Sequence, residues 1–180
     1  MKSIYIITGP AGVGKSTISK RLVEQFNESA YIEGDLINHM IVGGYLPPWE
    51  SEELLTLTWE NIASLATNFL RANKDVVIDY IAYPEDVEKV IQKVRSEGCL
   101  AKIFYVVLWV DHAELLRRDQ LRDEQYQMGQ RCLELVEEFK SKQISERYYY
   151  HTTDVTATEV VEKIREKDEF IVNEKIERTD

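Results

Sequence analysis

The sequence predicts an α/β fold of three layers, in which helices cover both faces of a five-stranded parallel sheet. Two observations support this prediction. Short apolar runs alternate along the chain with segments whose apolar residues recur at helical spacing, the order that a parallel sheet requires. The run 103–110 is also apolar throughout, as expected for a strand that is buried on both faces.

The predicted elements follow one another along the whole chain. The strands are apolar and short, and they cover residues 4–8, 30–32, 76–78, 103–110 and 147–150. The helices carry apolar stripes, and they cover residues 15–27 and 51–72 and begin again near residues 84, 111, 133 and 158. A polar segment at about 119–131 follows the fourth strand and its helix, and it is expected to form a small lid.

Local signals mark where several of these helices begin and end. Pro84 suits a first helical position, and Gly98 suits the cap that follows the last helical turn. Asp111 with Glu114 has the pattern of a capping box, and Thr158 is expected to cap the final helix. The tail after residue 169 is polar and is expected to add little to the fold.

Length and composition indicate a single domain spanning residues 1–180. The formal net charge of −10 argues against a nucleic-acid partner, and no apolar run is long enough to suggest a membrane span. Cys99 and Cys132 have neither disulfide nor metal-site spacing, and Met1 leads almost directly into the first strand. We therefore expect a cytoplasmic protein whose partner is a small molecule. The oligomeric state has no signal in the sequence.

The most specific signal is a glycine-rich loop between the first strand and the first helix. It fits the pattern G-x-x-x-x-G-K-[ST] of a phosphate-binding loop, and its residues are Gly9, Pro10, Ala11, Gly12, Val13, Gly14, Lys15, Ser16 and Thr17. Its glycines let backbone N–H groups point at an anion, and the helix N-terminus adds further donors. Lys15 can reach the β- and γ-phosphates, and the Ser16 hydroxyl can ligate Mg²⁺. The sequence therefore predicts that ATP and Mg²⁺ bind here.

Other motifs narrow the class of phosphate-loop protein. A GTPase needs an Asn-Lys-x-Asp guanine reader, and residues 73–76 miss this pattern by one position. An Asp-x-x-Gly motif does not follow Asp79 either, and helicases or transporter ATPases are longer. The class that remains, and that fits the length of the chain, is that of small kinases.

Two aspartates follow predicted strands, where ligands bind in open α/β sheets. Asp35 could orient the hydroxyl that receives the phosphate, or it could cap the next helix. Asp79 could hold Mg²⁺, it could be the base while Asp35 positions the substrate, or it could lie in a surface turn. The sequence leaves these alternatives open.

Arginines cluster after the fourth strand. Arg118 and Arg122 are four residues apart and share a helix face, and Arg131 follows the polar segment. Planar guanidinium groups suit phosphate binding and stacking on a base. The alternative is a solvated face on which these arginines pair with neighbouring acids such as Asp119 and Asp123.

Together, the loop, the acid after the second strand and these arginines make residues 3–168 resemble the shikimate kinase, gluconate kinase and adenylate kinase group. The chain is most similar to gluconate kinases and kinase-like ATPases. The resemblance implies that Asp35 meets the acceptor hydroxyl and that Glu33 lies near Mg²⁺. It also implies that Arg118 stacks on adenine and that Arg122 meets the phosphates.

The resemblance further implies an acceptor-binding segment at about 36–72. Its candidate substrate-binding residues, together with one arginine from the lid, are Asp35, Asn38, His39, Tyr45, Trp49 and Arg131. Gluconate kinases usually carry histidine three residues after the acid, whereas here that place is Asn38 and His39 comes one later.

These observations predict an ATP-dependent phosphotransferase that moves the γ-phosphate to a hydroxyl of a small polar metabolite, of the sugar or sugar-acid type as in gluconate kinases. Alternatives are a nucleoside or nucleotide kinase and an antibiotic phosphotransferase. The stretch between Asp35 and Arg71 holds no lysine or arginine, which argues against a phosphorylated acceptor. A non-catalytic ATP-binding switch protein is the alternative from a different class.

Overall fold

The computed structural model of the protein describes residues 1–172 and 175–179. Its centre is a five-stranded parallel sheet with the strand order β2-β3-β1-β4-β5. The strands are β1 (Lys2–Thr8), β2 (Ser29–Glu33), β3 (Asp75–Asp79), β4 (Ala101–Trp109) and β5 (Tyr149–His151). The α-helices are α1 (Lys15–Val23), α2 (Gly34–Asn38), α3 (Glu52–Arg71), α4 (Pro84–Ser96), α5 (His112–Gln120), α6 (Gln130–Ser141) and α7 (Ala157–Glu166).

The two faces of the sheet bury separate hydrophobic cores, because successive strand residues point to opposite faces. In β1, Ile4 and Ile6 join the core under α3 and α4, whereas Tyr5 and Ile7 join the core under α1 and α7. Helices therefore cover both faces of the sheet, and the predicted three-layer α/β/α fold is confirmed. No helix in the described part of the chain is both long and apolar enough to cross a membrane.

Two helix starts differ from the prediction. Asp111 is the N-cap residue of α5, but the capping box is absent: its side chain makes no capping hydrogen bond, and its N–H donates to the Thr153 hydroxyl at 3.3 Å. The Glu114 carboxylate that would have accepted this N–H binds Arg117 and Arg118 instead. The cap of α7 is Thr156, whose hydroxyl accepts from a backbone N–H in the first turn, and Thr158 lies inside the helix.

Other boundaries also differ from the prediction. α1 ends at Val23 rather than at residue 27, and residues 146–148 form a 3-10 turn, so that β5 begins at Tyr149. The C-terminal tail was expected to add little, and this was wrong. Phe170 is fully buried, and the Val172 N–H donates to the Ile103 carbonyl at 2.8 Å, so the tail packs beside β4.

Candidate functional site

A cleft of about 860 Å³ opens where the phosphate loop, α2, the end of β3 and the segment after α5 meet. It gathers most of the residues that the sequence predicted for the site: Ala11, Gly12, Val13, Gly14, Lys15, Ser16, Thr17, Asp35, Asn38, His39, Tyr45, Trp49, Asp79, Arg118, Arg122 and Arg131. Gly9 and Pro10, at the start of the loop, and Glu33, at the end of β2, are not among the lining residues of the cleft.

The loop has a backbone shape that requires glycine. Gly9, Gly12 and Gly14 have φ values of +133°, +85° and +106°, a region that residues with side chains rarely adopt. A Cβ at Gly9 would also overlap the carbonyl oxygen of Leu108. α1 begins immediately afterwards at Lys15, and the first N–H groups of a helix have no partner within it and can bind an anion.

Lys15 lies folded over the same loop. Its Nζ donates to the Gly9 and Pro10 carbonyls, each at 3.0 Å. Burial lowers the pKa of Lys15, and the nearby carboxylates of Asp79 and Asp35 oppose this effect. The ammonium group is thus held where a phosphate would enter, with weaker neutral acceptors as its direct partners.

Asp79 ends β3 and is only 4% exposed, which excludes the surface-turn interpretation. Its Oδ2 accepts a hydrogen bond from the Tyr31 hydroxyl at 2.7 Å. Tyr31 was not predicted as a site residue, and only the pairing of β2 with β3 brings it to Asp79. Ser16 is exposed on the floor of the cleft.

The described residues contain no group of three or more acidic, histidine or cysteine side chains that could hold a metal alone. Mg²⁺ usually needs only one or two protein ligands beside phosphate oxygens and water, so Ser16 and Asp79 fit such a site.

Asp35 is the second residue of α2, whose N-cap position is occupied by Glu33. It therefore does not cap the helix, and its side chain is open to the cleft. Desolvation raises the pKa of Asp35, the Lys15 ammonium opposes the rise, and Asp79 adds to it. A carboxylate of raised pKa that faces a phosphate site is suited to accept a proton.

Arg118 connects two loops at the end of the cleft that holds the phosphate loop. Its guanidinium donates to the Glu114 carboxylate at 2.6 Å, to the Val13 carbonyl at 3.0 Å and to the Thr152 carbonyl at 2.9 Å. Arg117 is instead a solvated residue paired with Glu114. The solvated-face interpretation therefore does not apply to Arg118, which bonds to both loops of the site.

The segment after α5 is anchored by Asp119, which the sequence suggested only as a partner for an arginine. Its buried carboxylate accepts from the N–H groups of Met128 and Gly129, and it pairs with Arg122 at 3.3 Å. Arg122 is thereby held on the cleft wall beside the phosphate loop.

Arg131 and Trp49, which are distant in sequence, meet across the cleft. The Arg131 guanidinium lies 5.4 Å from the centre of the Trp49 ring and donates to Glu138 at 2.6 Å and to Glu134 at 3.2 Å.

The other predicted substrate-binding residues lie in or near α2. Tyr45 packs near His39, with ring centres 5.6 Å apart. Asn38 is almost fully buried, and its Oδ1 accepts from the Thr58 hydroxyl, so it also joins α2 to α3.

Sequence reasoning missed several residues of the cleft wall, four of which carry titratable side chains. They are Tyr80, Tyr83, Asp86 and Glu138. Tyr80 follows Asp79 directly and Tyr83 comes four residues after it, and that proximity to the end of β3 was the available signal. Glu138 had no such signal, because it reaches the site only through the packing of α6.

Comparisons with known proteins agree with this architecture. A family model described as an AAA domain matches residues 6–144. No curated protein matches the chain. A gluconokinase from Sinorhizobium meliloti has a TM-score of 0.65 at 17% identity, and the match covers 91% of this chain and 89% of that one.

Two further solved structures are similar. A tunicamycin resistance protein of Deinococcus radiodurans has a TM-score of 0.63 at 19% identity, with 91% of this chain and 94% of that one covered. The APS kinase of Mycobacterium tuberculosis in complex with AMPPNP and APS has a TM-score of 0.61 at 16% identity, with 91% and 95% covered. At these identities the likeness is one of fold, and that fold is the one of phosphate-loop kinases.

Proposed function

The chain belongs to the AAA domain family, and we propose that it is an ATP-dependent phosphotransferase acting on a hydroxyl of a small polar metabolite of the sugar or sugar-acid type. One observation carries the proposal: a single cleft contains both the phosphate loop with Lys15 and the open carboxylate of Asp35. The gluconokinase and APS kinase structures, which share this fold, support the same reaction class.

In this proposal the loop and Lys15 bind the β- and γ-phosphates. The Lys15 ammonium exchanges the Gly9 and Pro10 carbonyls for phosphate oxygens, which are stronger acceptors for a cation. Arg118 and Arg122 lie on the adjacent wall and neutralise charge that develops on the transferred group. The segment at 119–131, which carries Arg122 and Arg131, acts as the lid that excludes water.

Ser16 and Asp79 would hold Mg²⁺, which when bound neutralises phosphate charge. We assign Asp79 to this role rather than to the base, since it is buried and one of its oxygens accepts the Tyr31 hydroxyl. Glu33 lies outside the cleft lining and is the weaker candidate for a metal ligand.

Asp35 is the proposed base. Its open carboxylate accepts the proton of the acceptor hydroxyl while the hydroxyl oxygen attacks the γ-phosphorus and ADP leaves. The acceptor itself is proposed to lie against α2, Tyr45 and Trp49, which belong to the segment 36–72.

The test is a screen for acceptor-dependent ADP release over sugars, sugar acids, amino sugars and nucleosides. We expect Asp35→Asn to lower the rate of transfer at least ~100-fold, since general-base contributions are of that order, with ATP affinity close to wild type. Asp168→Asn, at an exposed aspartate near the C-terminus, is the matched control.

The pH profile gives a second measurement. Because the pKa of Asp35 is raised, kcat/KM should fall as the pH decreases toward a midpoint above the ordinary aspartate value of about 3.9. Full transfer activity in Asp35→Asn would overturn the base assignment. ATP binding without transfer to any compound would favour the non-catalytic switch.

A further inference from the structure

The end of the cleft beyond Asp35 has an unusual charge balance for a site that handles phosphate. We call it the acceptor half and define it by six lining residues, Trp49, Tyr80, Tyr83, Asp86, Arg131 and Glu138. Lys15, Arg118 and Arg122 line the other end, around the phosphate loop. The acceptor half thus holds two carboxylates and one guanidinium.

The single guanidinium is already compensated. Arg131 donates to Glu138 at 2.6 Å and to Glu134 at 3.2 Å, and Glu134 lies outside the cleft. An anionic acceptor could use the Arg131 Nε, which has no hydrogen-bond partner among the described residues, or the Nη2 group, since both acids bind Nη1. It would then lie beside the Glu138 carboxylate, which repels it. The pairing therefore disfavours a sugar acid.

Asp86 adds negative charge that is poorly compensated. It is only 3% exposed, its Oδ2 accepts from the Tyr83 N–H at 3.0 Å, and Lys89 approaches its Oδ1 no closer than 3.5 Å. The Tyr83 hydroxyl donates to the Glu138 carboxylate at 2.5 Å, so Tyr83 bonds to Asp86 through its backbone N–H and to Glu138 through its hydroxyl. A cation in this half of the cleft would be attracted by both carboxylates and by the faces of the aromatic rings.

An independent observation points to a ligand in the same place. Tyr80 lines the cleft and is 5% exposed, yet its hydroxyl has no hydrogen-bond partner among the residues that the structure describes. Buried hydroxyls are almost always satisfied, so an orphaned one at a cleft wall indicates that a ligand group completes it. The Tyr80 ring packs against Gly34, the residue before Asp35, so its hydroxyl belongs to the same region of the cleft as the proposed base. Burial raises the pKa of Tyr80, with smaller contributions from Asp35 and Asp86, so the hydroxyl keeps its proton.

We propose that the acceptor is an amine-bearing polyhydroxy ring, such as an amino sugar or aminocyclitol. Its protonated amine lies near Asp86 and Glu138, and one of its hydroxyls bonds to Tyr80. This inference rests on the proposed phosphotransferase function and names its substrate class. The reaction remains transfer to oxygen: the O–P bond forms, the bridging P–O bond to ADP breaks, the hydroxyl proton goes to Asp35, and the amine keeps its own proton.

The experiment compares polyhydroxy compounds of different charge. One series is glucosamine, glucose and gluconate, and a second is 2-deoxystreptamine and myo-inositol. For each, kcat/KM is measured with ATP, and binding is measured by calorimetry with a non-hydrolysable ATP analogue bound. We expect kcat/KM and the binding constant of each amine to exceed those of its neutral counterpart about tenfold or more, because a charge-assisted hydrogen bond contributes about that much. Gluconate should be the poorest substrate of its series.

Single substitutions test which residues create the preference for the amine. Asp86→Asn and Glu138→Gln should each reduce, about tenfold, the ratio of kcat/KM for the amine to kcat/KM for its neutral counterpart. Tyr80→Phe should weaken amine and neutral compounds alike. Glu134→Gln is the matched control for Glu138→Gln, because it removes a partner of the same arginine from outside the cleft.

The outcomes separate the two proposals. Transfer that favours gluconate or the neutral compounds would support the kinase function and overturn the inference about charge. Selective amine binding without transfer would support the acceptor class and contradict the kinase function. Absence of binding in both series would overturn the inference.

Discussion

At the scale of single residues, the shape of the acceptor half depends on Gly34. A Cβ at this position would lie 2.5 Å from Cδ2 and 2.6 Å from Cβ of Tyr80, distances that real Cβ atoms do not reach. The backbone of Gly34 is not left-handed, so glycine is required here for space rather than for conformation. Gly34 therefore lets Tyr80 pack directly beside Asp35.

We expect Gly34→Ala to lower the free energy of unfolding by about 1–3 kcal/mol, the usual cost of overpacking. It should also raise KM for the acceptor, because Tyr80 must move, while ATP affinity changes little. Urea denaturation and steady-state kinetics measure the two effects. Gly43→Ala is the control, since its Cβ would meet no described atom within 4 Å. Equal stability of the two variants would contradict this interpretation of Gly34.

At the scale of elements, α5 and α7 show how a helix start depends on competing partners. Both begin with a residue that could cap and an acid three positions later. In α7 the Thr156 N–H donates to Glu159 at 2.9 Å, and the Glu159 N–H donates to the Thr156 hydroxyl at 3.3 Å. In α5 the acid Glu114 binds arginines instead, one of which is the cleft residue Arg118. The capping box of α5 is thus replaced by a contact that orients a site residue.

Thr156→Ala should reduce the free energy of unfolding by about 1 kcal/mol, because it removes the cap of α7. Thr158→Ala, two residues further on, should change it by less than about 0.5 kcal/mol, since Thr158 is an exposed residue inside the helix. Thermal and urea unfolding of the two variants can be compared directly. A larger loss in Thr158→Ala would contradict the observed cap.

At the scale of the whole molecule, the cleft joins elements from both faces of the sheet. Of its lining residues, Tyr80 and Tyr83 belong to or pack against the core under α3 and α4, whereas Val13 and Leu135 belong to the other core. A nucleotide bound in this cleft would contact residues that come together only in the folded protein, and the unfolded chain would have no such site. Its binding should therefore stabilise the fold as a whole.

A non-hydrolysable ATP analogue at 100 times its Kd should raise the free energy of unfolding by about 2.7 kcal/mol. Lys15→Met should lose most of this gain at the same concentration, because the loop lacks its cation. Lys140→Met, at an exposed lysine of α6, should keep it. Stabilisation that persists in Lys15→Met would argue that the nucleotide binds elsewhere.

Much of the fold could be predicted because its signals are local. The phosphate loop is one contiguous stretch, and the alternation of apolar runs with helical stripes is read in short windows. The acceptor half was harder to predict. Trp49 and Arg131, or Tyr83 and Glu138, are far apart in sequence and meet only through packing. The prediction for the C-terminal tail was wrong for the same reason, since its few apolar residues are buried by segments that are distant in sequence, such as β4.

The α/β class and the phosphate loop can be predicted from the chain alone, because backbone conformation and hydrophobic periodicity depend on neighbouring residues. Tertiary packing sets which charges compensate one another. It pairs Arg131 with two glutamates, buries Asp86, and leaves the Tyr80 hydroxyl orphaned within the described structure. Pairing and burial depend on distances in space, and these set the charge that an acceptor must match.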